Sequence, residues 1–151
     1  MAFDLIGISS LLFVVLIYLT VAIKKPSIAN ILLTALGIRI LIIIFGNILS
    51  LPDNYGDVDE FLFRAIDYSE QGFLNLFSLY PGFNSFFISW LIALLFSIFG
   101  PSELMAQSLS LFFGVGSVYL GWKIACKIWN KKIANKVGWV IALFPTLILY
   151  S

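Results

Sequence analysis

The sequence predicts an all-α, polytopic membrane protein of about four transmembrane helices, with amphipathic and juxtamembrane helices on the extracytoplasmic side. Hydrophobic residues make up 61% of the chain and charged residues only 11%, far from the balance of a soluble domain. The apolar runs are long enough to cross a hydrocarbon core of about 30 Å, where the backbone must satisfy its own polar groups as a helix. Basic and acidic residues occupy separate segments, as they do on the two sides of a membrane.

The first two apolar runs, residues 3–23 and 28–51, are predicted to span the membrane. The first run lacks the basic start and the small-residue cleavage site of a signal peptide, so we expect it to be an anchor. Lys24 and Lys25 follow it and are expected in the cytoplasm by the positive-inside rule. Residues 52–80 then lie outside, in the multi-pass topology of a plasma or inner membrane protein.

The segment 52–80 collects most of the acidic residues: Asp53, Asp57, Asp59, Glu60, Asp67 and Glu70. From Asp57 onward the apolar residues recur at helical spacing, and Gly72 ends the pattern as a C-terminal cap would. We expect an amphipathic helix on the outer membrane surface. Asp57 and Glu60 have capping-box spacing, which makes Asp57 a candidate N-cap. The same carboxylate, beside Asp59, could instead accept a proton from a hydroxyl or help to hold a divalent cation, and one role does not exclude the other.

Residues 81–99 are predicted to be a juxtamembrane or re-entrant helix, because two consecutive crossings here would place the following lysines outside. Residues 104–122 then form a span that returns to the cytoplasm. The basic cytoplasmic segment 123–136 follows, with Lys123, Lys127 and Lys131 expected on one helical face. Residues 137–151 contain Pro145 and are too short to span comfortably. This predicts either a fragment of a longer protein or a helix completed by a partner; the whole chain is interpreted as one membrane unit.

The residues that are absent exclude several functions. The chain has no histidine, which rules out a Ser-His-Asp triad and histidine zinc ligands, and its one cysteine, Cys126, cannot form an internal disulfide. The lysines adjoin the membrane, so they predict contact with anionic lipids on the cytoplasmic side and no nucleic-acid binding.

The order of these features resembles the first part of the membrane glycosyltransferases of superfamily C, closest to the protein O-mannosyltransferase and aminoarabinose transferase branch. The family has an Asp that opens an outer helix, an aromatic residue, a small residue and a closing Gly; Asp57, Phe61, Ala65 and Gly72 match, with Phe where Tyr is usual. An aromatic segment with Pro81 that runs into Phe-Gly, and then a helix, a basic turn and another helix, follow in the family order. The resemblance covers residues 28–151. The helix at 3–23 is extra, and the later loops of the family are missing.

The resemblance implies transfer of a sugar from a polyprenyl-phosphate donor to an acceptor on the outer face, by an inverting-type reaction with Asp57 as the base. Asp59 and Glu60 would orient the acceptor or a divalent cation, with Asp57 and Asp59 as the candidate metal ligands. The candidate substrate-binding residues are Tyr55, Arg64, Tyr80 and Arg39.

Arg39 lies in the middle of the second predicted span, where a charge is costly. It either pairs with a polar group of a neighbouring helix or contacts a lipid phosphate. The alternative function for the whole chain is a small non-catalytic membrane subunit that packs against a further protein chain.

Overall fold

A computed structural model describes the backbone of residues 4–49 and 55–144 and the side chains of residues 4–46 and 60–144. Within this part of the chain all regular structure is helical, which confirms the all-α class. The helices are α1 (Leu5–Lys24), α2 (Pro26–Leu49), α3 (Tyr55–Glu70), α4 (Phe87–Phe99), α5 (Glu103–Ile128) and α6 (Lys131–Leu143), with a short 3₁₀ helix at Asn75–Phe77 between α3 and α4.

Three of the described helices are long and apolar enough to cross a membrane: Leu5–Lys24, Pro26–Gly46 and Glu103–Ile128. The predicted starts and ends of α1 and α2 lie within two residues of those in the structure. The other apolar helix, α4, has 13 residues and is therefore only about 20 Å long. That length falls short of a hydrocarbon core of about 30 Å.

Helices α1, α2, α5 and α6 form a bundle around one hydrophobic core. The innermost core side chains come from all four helices and include Val14, Tyr18, Ile28, Leu32, Leu111, Val115, Val118, Ala134 and Ala142. α6 approaches α2 and α5 closely, because a Cβ on Gly138 would lie 3.3 Å from Ile31 and 3.5 Å from Trp122. The indole N–H of Trp122 also donates to Oδ1 of Asn135 at 2.8 Å.

α1 and α5 run parallel, although four other helical segments separate them in sequence. Their N-terminal ends meet, since the Asp4 carboxylate accepts hydrogen bonds from the Gly7 amide at 2.7 Å and from the Ser102 hydroxyl at 2.9 Å. The Ser102 hydroxyl in turn accepts from the Met105 amide at 3.2 Å. Asp4 and Ser102 are therefore the N-caps of α1 and α5, and they bond to each other. Further along, the Tyr18 hydroxyl donates to the Phe112 carbonyl oxygen.

α3, the 3₁₀ helix and α4 form a second layer against the first turns of α5. Their shared core contains Ala65, Leu76, Ile92, Ala93 and Phe96, together with Met105 and Ala106 of α5. The Trp90 indole donates to the Leu76 carbonyl at 2.7 Å, which ties α4 to the 3₁₀ helix. The layer therefore lies at the end of the bundle where α1 and α5 begin.

The basic segment 123–136 is divided between two helices. α5 extends to Ile128, and α6 begins at Lys131 after an N-cap at Asn130, whose side chain accepts from the Ile133 amide at 3.0 Å. Lys123 and Lys127 belong to α5 while Lys131 belongs to α6, so the prediction of one shared helical face was wrong. α6 also begins six residues before the predicted span 137–151, and residues 145–151, with Pro145, lie outside the described part.

The joined caps give a prediction for stability. Asp4→Ala should lower the free energy of unfolding by about 1–2 kcal/mol, because α1 loses its cap and Ser102 loses its acceptor. Ser102→Ala should have a similar effect. Unfolding followed by circular dichroism in micelles of increasing SDS content measures both.

The double variant should cost less than the sum of the two single variants, since both remove the same hydrogen bond. Ser9→Ala is the control, because the Ser9 hydroxyl is exposed and donates only to the Ile6 carbonyl of its own helix. Additive single effects would show that the two caps act independently.

Candidate functional site

The candidate site lies on α3, the acidic helix of the second layer. Its backbone begins at Tyr55, two residues before the predicted start, so Asp57 lies in the first helical turn and not before it. The N-terminal turn of a helix favours a carboxylate electrostatically, which suits Asp57 in this position. The side chains of Tyr55, Asp57 and Asp59 lie outside the described part of the structure.

The end of α3 agrees with its prediction. The helix stops at Glu70, and Gly72 follows in a left-handed conformation with φ of 86°. The Gly72 amide donates to the Ser69 carbonyl at 3.2 Å. A side chain at this φ would be strained, so glycine allows the chain to turn from α3 into the 3₁₀ helix.

α3 is amphipathic in the structure as well. Ala65 is fully buried against α4, and Leu62 and Ile66 pack beside it. Glu60, Asp67 and Glu70 are exposed. The layer thus presents a row of carboxylates away from its packed face.

Arg64 is fixed by two contacts within the layer. Its guanidinium donates to Oε1 of Glu60 at 3.1 Å, and its Cζ lies 3.6 Å from the centre of the Phe86 ring. The Phe86 ring also lies 6.2 Å from the Phe61 ring. These contacts bind α3 to the residue that precedes α4.

Tyr80 lies in an aromatic cluster between the 3₁₀ helix and α4. Its ring is 5.1 Å from Trp90 and 6.3 Å from both Phe83 and Phe87. Tyr80 remains 44% exposed and Phe83 is 90% exposed, so the cluster forms an open aromatic surface. Tyr80 therefore belongs to the same layer as Glu60 and Arg64.

Arg39 lies elsewhere, within the four-helix bundle. Its side chain is only 1% exposed, and one of its guanidinium nitrogens donates to the Ala35 carbonyl one turn earlier at 3.3 Å. Leu36, Ile40 and Ile43 on the same helix belong to the bundle core or pack against it. The described contacts place Arg39 in the bundle core, apart from the group formed by Glu60, Arg64 and Tyr80.

A metal site remains a prediction. The described residues contain no group of three or more histidine, cysteine, aspartate or glutamate side chains that could hold a metal ion. Of the three carboxylates predicted to take part in catalysis, only Glu60 has a described side chain, and it pairs with Arg64. The side chains of Asp57 and Asp59, the candidate ligands, lie outside the described part of the structure.

The sequence did not predict the roles of three residues that join separate parts of the fold. Asp4 and Ser102 join α1 to the start of α5, and Phe86 holds Arg64 of α3. The first two stand directly before apolar helices, which is a recognisable capping signal. No sequence signal pointed to Phe86, because its contact with Arg64 depends on how α3 packs on the loop before α4.

Comparison with known proteins adds no identification: no protein-family model, curated protein or solved structure matches the chain.

The Arg64–Phe86 contact gives a second prediction. Phe86→Leu removes the ring beneath the guanidinium and should weaken the attachment of α3 by about 1 kcal/mol, or roughly fivefold in local opening. Amide hydrogen exchange across α3 in detergent measures this opening.

Glu60→Gln is the matched control on the same arginine. The Glu60–Arg64 pair joins side chains that are 60% and 40% exposed, so its loss should change exchange by less than about 0.5 kcal/mol. If Glu60→Gln released α3 more than Phe86→Leu, the ion pair and not the ring contact would hold the helix.

Proposed function

We propose that this chain is all or part of a membrane glycosyltransferase, which moves a sugar from a polyprenyl-phosphate donor to an acceptor on the extracytoplasmic face. The observation that supports it best is the position of α3. An acidic helix packs on the short helix α4, at the end of the bundle opposite the lysines. An enzyme that moves a sugar from a lipid-anchored donor to an acceptor on the outer face needs its carboxylates at that boundary.

The proposed orientation follows from where the helices end. Lys24 ends α1, and Lys123 and Lys127 lie in the last turns of α5, which is parallel to α1. Lys131 and Lys132 begin α6 at the same end. The positive-inside rule assigns this end to the cytoplasm and the layer of α3 and α4 to the outside.

In the proposed reaction Asp57 is the general base. It takes the proton from the acceptor hydroxyl as that oxygen attacks the anomeric carbon of the sugar. A new carbon–oxygen bond forms to the acceptor, the bond to the carrier phosphate breaks, and the configuration inverts. Asp59 and Glu60 would orient the acceptor.

A divalent cation fits the residue types of this helix, because Asp57 and Asp59 offer the carboxylate oxygens that Mg²⁺ and Ca²⁺ prefer. Such an ion would neutralise the negative charge of the leaving phosphate. Arg64 and Tyr80, close to the same helix, are the proposed substrate contacts of the layer, with Tyr55 at its start and Arg39 deeper in the bundle.

The second candidate function is that of a non-catalytic subunit. The observation that favours it is the small buried share of the three long apolar helices, which is 22%, 39% and 28%. Their exposed faces could accept the helices of a larger partner as well as lipid.

Substitution of Asp57 tests the proposed function. Asp57→Asn should reduce sugar transfer by about 10²–10⁴-fold, because the acceptor hydroxyl loses its base. Asp59→Asn should give a smaller loss. Transfer of radiolabelled sugar from polyprenyl phosphate in native membranes measures the rates.

Asp67→Asn is the control, since Asp67 is an exposed carboxylate further along the same helix. Wild-type transfer by Asp57→Asn would overturn the role of Asp57. If no carboxylate of α3 affected transfer while their joint removal disrupted a complex with another chain, the subunit function would replace the enzyme.

The orientation can be tested with the single cysteine. In a Cys126→Ser background, Asp67→Cys should react with a membrane-impermeant maleimide on intact cells, because α3 lies outside. Lys132→Cys should react only after the membrane is permeabilised. The reverse pattern would place the acidic helix in the cytoplasm.

A further inference from the structure

An apolar groove of about 530 Å³ runs along the outer surface of α5 and is bordered by Tyr18 of α1. Its α5 lining consists of aromatic, aliphatic and small residues: Phe112, Phe113, Gly116, Ser117, Tyr119 and Leu120. Phe113 is 47% exposed and Leu120 57% exposed, so the groove opens towards the surroundings of the bundle. Its volume lies within the range of about 300–1,000 Å³ that small-molecule sites occupy.

The absence of a side chain at Gly116 lets Tyr18 of α1 lie close against α5 at the edge of the groove. A Cβ at this position would lie 3.0 Å from the Tyr18 hydroxyl oxygen. That hydroxyl is already bonded to the Phe112 carbonyl. The polar group of Tyr18 is therefore satisfied, and the surface left to an occupant is apolar.

The groove ends at a positive charge. The Lys123 ammonium lies 6.0 Å from the ring centre of Tyr119, one helical turn beyond the last lining residues. The parallel packing of α1 and α5 brings Lys24 of α1 to about the same level. Lys24 follows Tyr18 by about 9 Å along α1, and Lys123 follows Gly116 by about 10 Å along α5, as the helical rise requires.

No carboxylate competes for these lysines among the described residues. Asp4 and Glu103 lie at the opposite ends of α1 and α5, and Glu60, Asp67 and Glu70 lie in the layer beyond. Lys24, Lys25 and Lys123 are all exposed. A cationic end joined to an apolar groove at membrane depth complements one kind of molecule, an anionic lipid.

We propose that this groove binds one anionic phospholipid of the cytoplasmic leaflet. One acyl chain lies along α5 against Tyr18, and the phosphate lies beside Lys123 and Lys24. The site is at the far end of the bundle from α3, so it is separate from the proposed sugar donor and does not depend on the transfer reaction.

The full chain in detergent, stripped of lipid, allows the test. Native mass spectrometry during titration with phosphatidylglycerol, and with phosphatidylcholine of the same chains, counts bound lipid. We expect one phosphatidylglycerol to bind ahead of all others. Lys123→Gln should weaken that binding by about fivefold, the loss expected for one lysine at a membrane surface, and leave phosphatidylcholine unchanged.

Ser117→Phe tests the groove itself, because Ser117 lines it and is exposed. Filling the groove should abolish the first phosphatidylglycerol. Ser9→Phe is matched to it, since Ser9 is also exposed and also donates to a carbonyl of its own helix. Lys132→Gln is the matched control for charge, as Lys132 is an exposed lysine of α6 away from the groove lining.

Two outcomes would overturn the proposal. Equal weakening by Lys123→Gln and Lys132→Gln would mean that the basic end attracts lipid without a defined site. Equal binding by Ser117→Phe and Ser9→Phe would mean that the groove takes no acyl chain. Loss confined to Lys123→Gln and Ser117→Phe supports it.

Discussion

The architecture depends on the way in which α1 and α5 begin. In lipid a helix leaves the amide groups of its first turn without partners, and leaving them so is expensive. Here one carboxylate and one hydroxyl satisfy both helix starts and bond to each other, so Asp4 and Ser102 hold the two ends level. Further along, the Tyr18 hydroxyl bonds to the Phe112 carbonyl, so the two helices run parallel. Parallel helices bring Lys24 and Lys123 to the same end of the bundle, and the layer of α3 and α4 lies at the other end.

Several polar side chains of the apolar helices form hydrogen bonds with carbonyl groups of their own helix. Ser108 and Thr20 donate to carbonyls one turn earlier in their own helices, at 2.7 Å in both cases. Three side-chain bonds between helices of the bundle are seen among the described residues, and they lie near the helix ends or join Tyr18 to a backbone carbonyl. The interior of the bundle is therefore held mainly by packing, in which glycines such as Gly138 allow close approach. Arg39 carries a charge, unlike Ser108 and Thr20, but its guanidinium also donates to a carbonyl of its own helix, that of Ala35.

The sequence located the first helices well, but it did not show how the helices are arranged. Apolar length located α1 and α2, and the glycine after α3 marked its end, because each signal is local. The parallel pair was not predictable, since it arises from residues far apart in the chain. The lysine segment was misjudged for a local reason: the pattern of lysines continues smoothly, whereas Asn130 starts a new helix in the middle of it. At the candidate site the sequence identified the acidic helix, while the ring of Phe86 that holds Arg64 became visible only in the packed layer.

The bond between Asp4 and Ser102 spans 98 positions of the sequence, and this has a consequence for the order in which the molecule is made. α1 and α2 are joined by a single residue and can enter the membrane together as a hairpin. α1 then has no α5 to pack against until the ribosome has delivered the second layer and the next span. During this interval its first turn is already protected, because the Asp4 carboxylate also accepts from Gly7 of α1 itself. The Asp4 carboxylate therefore caps α1 in the nascent hairpin of α1 and α2. It bonds to Ser102 later, when α5 has entered the membrane.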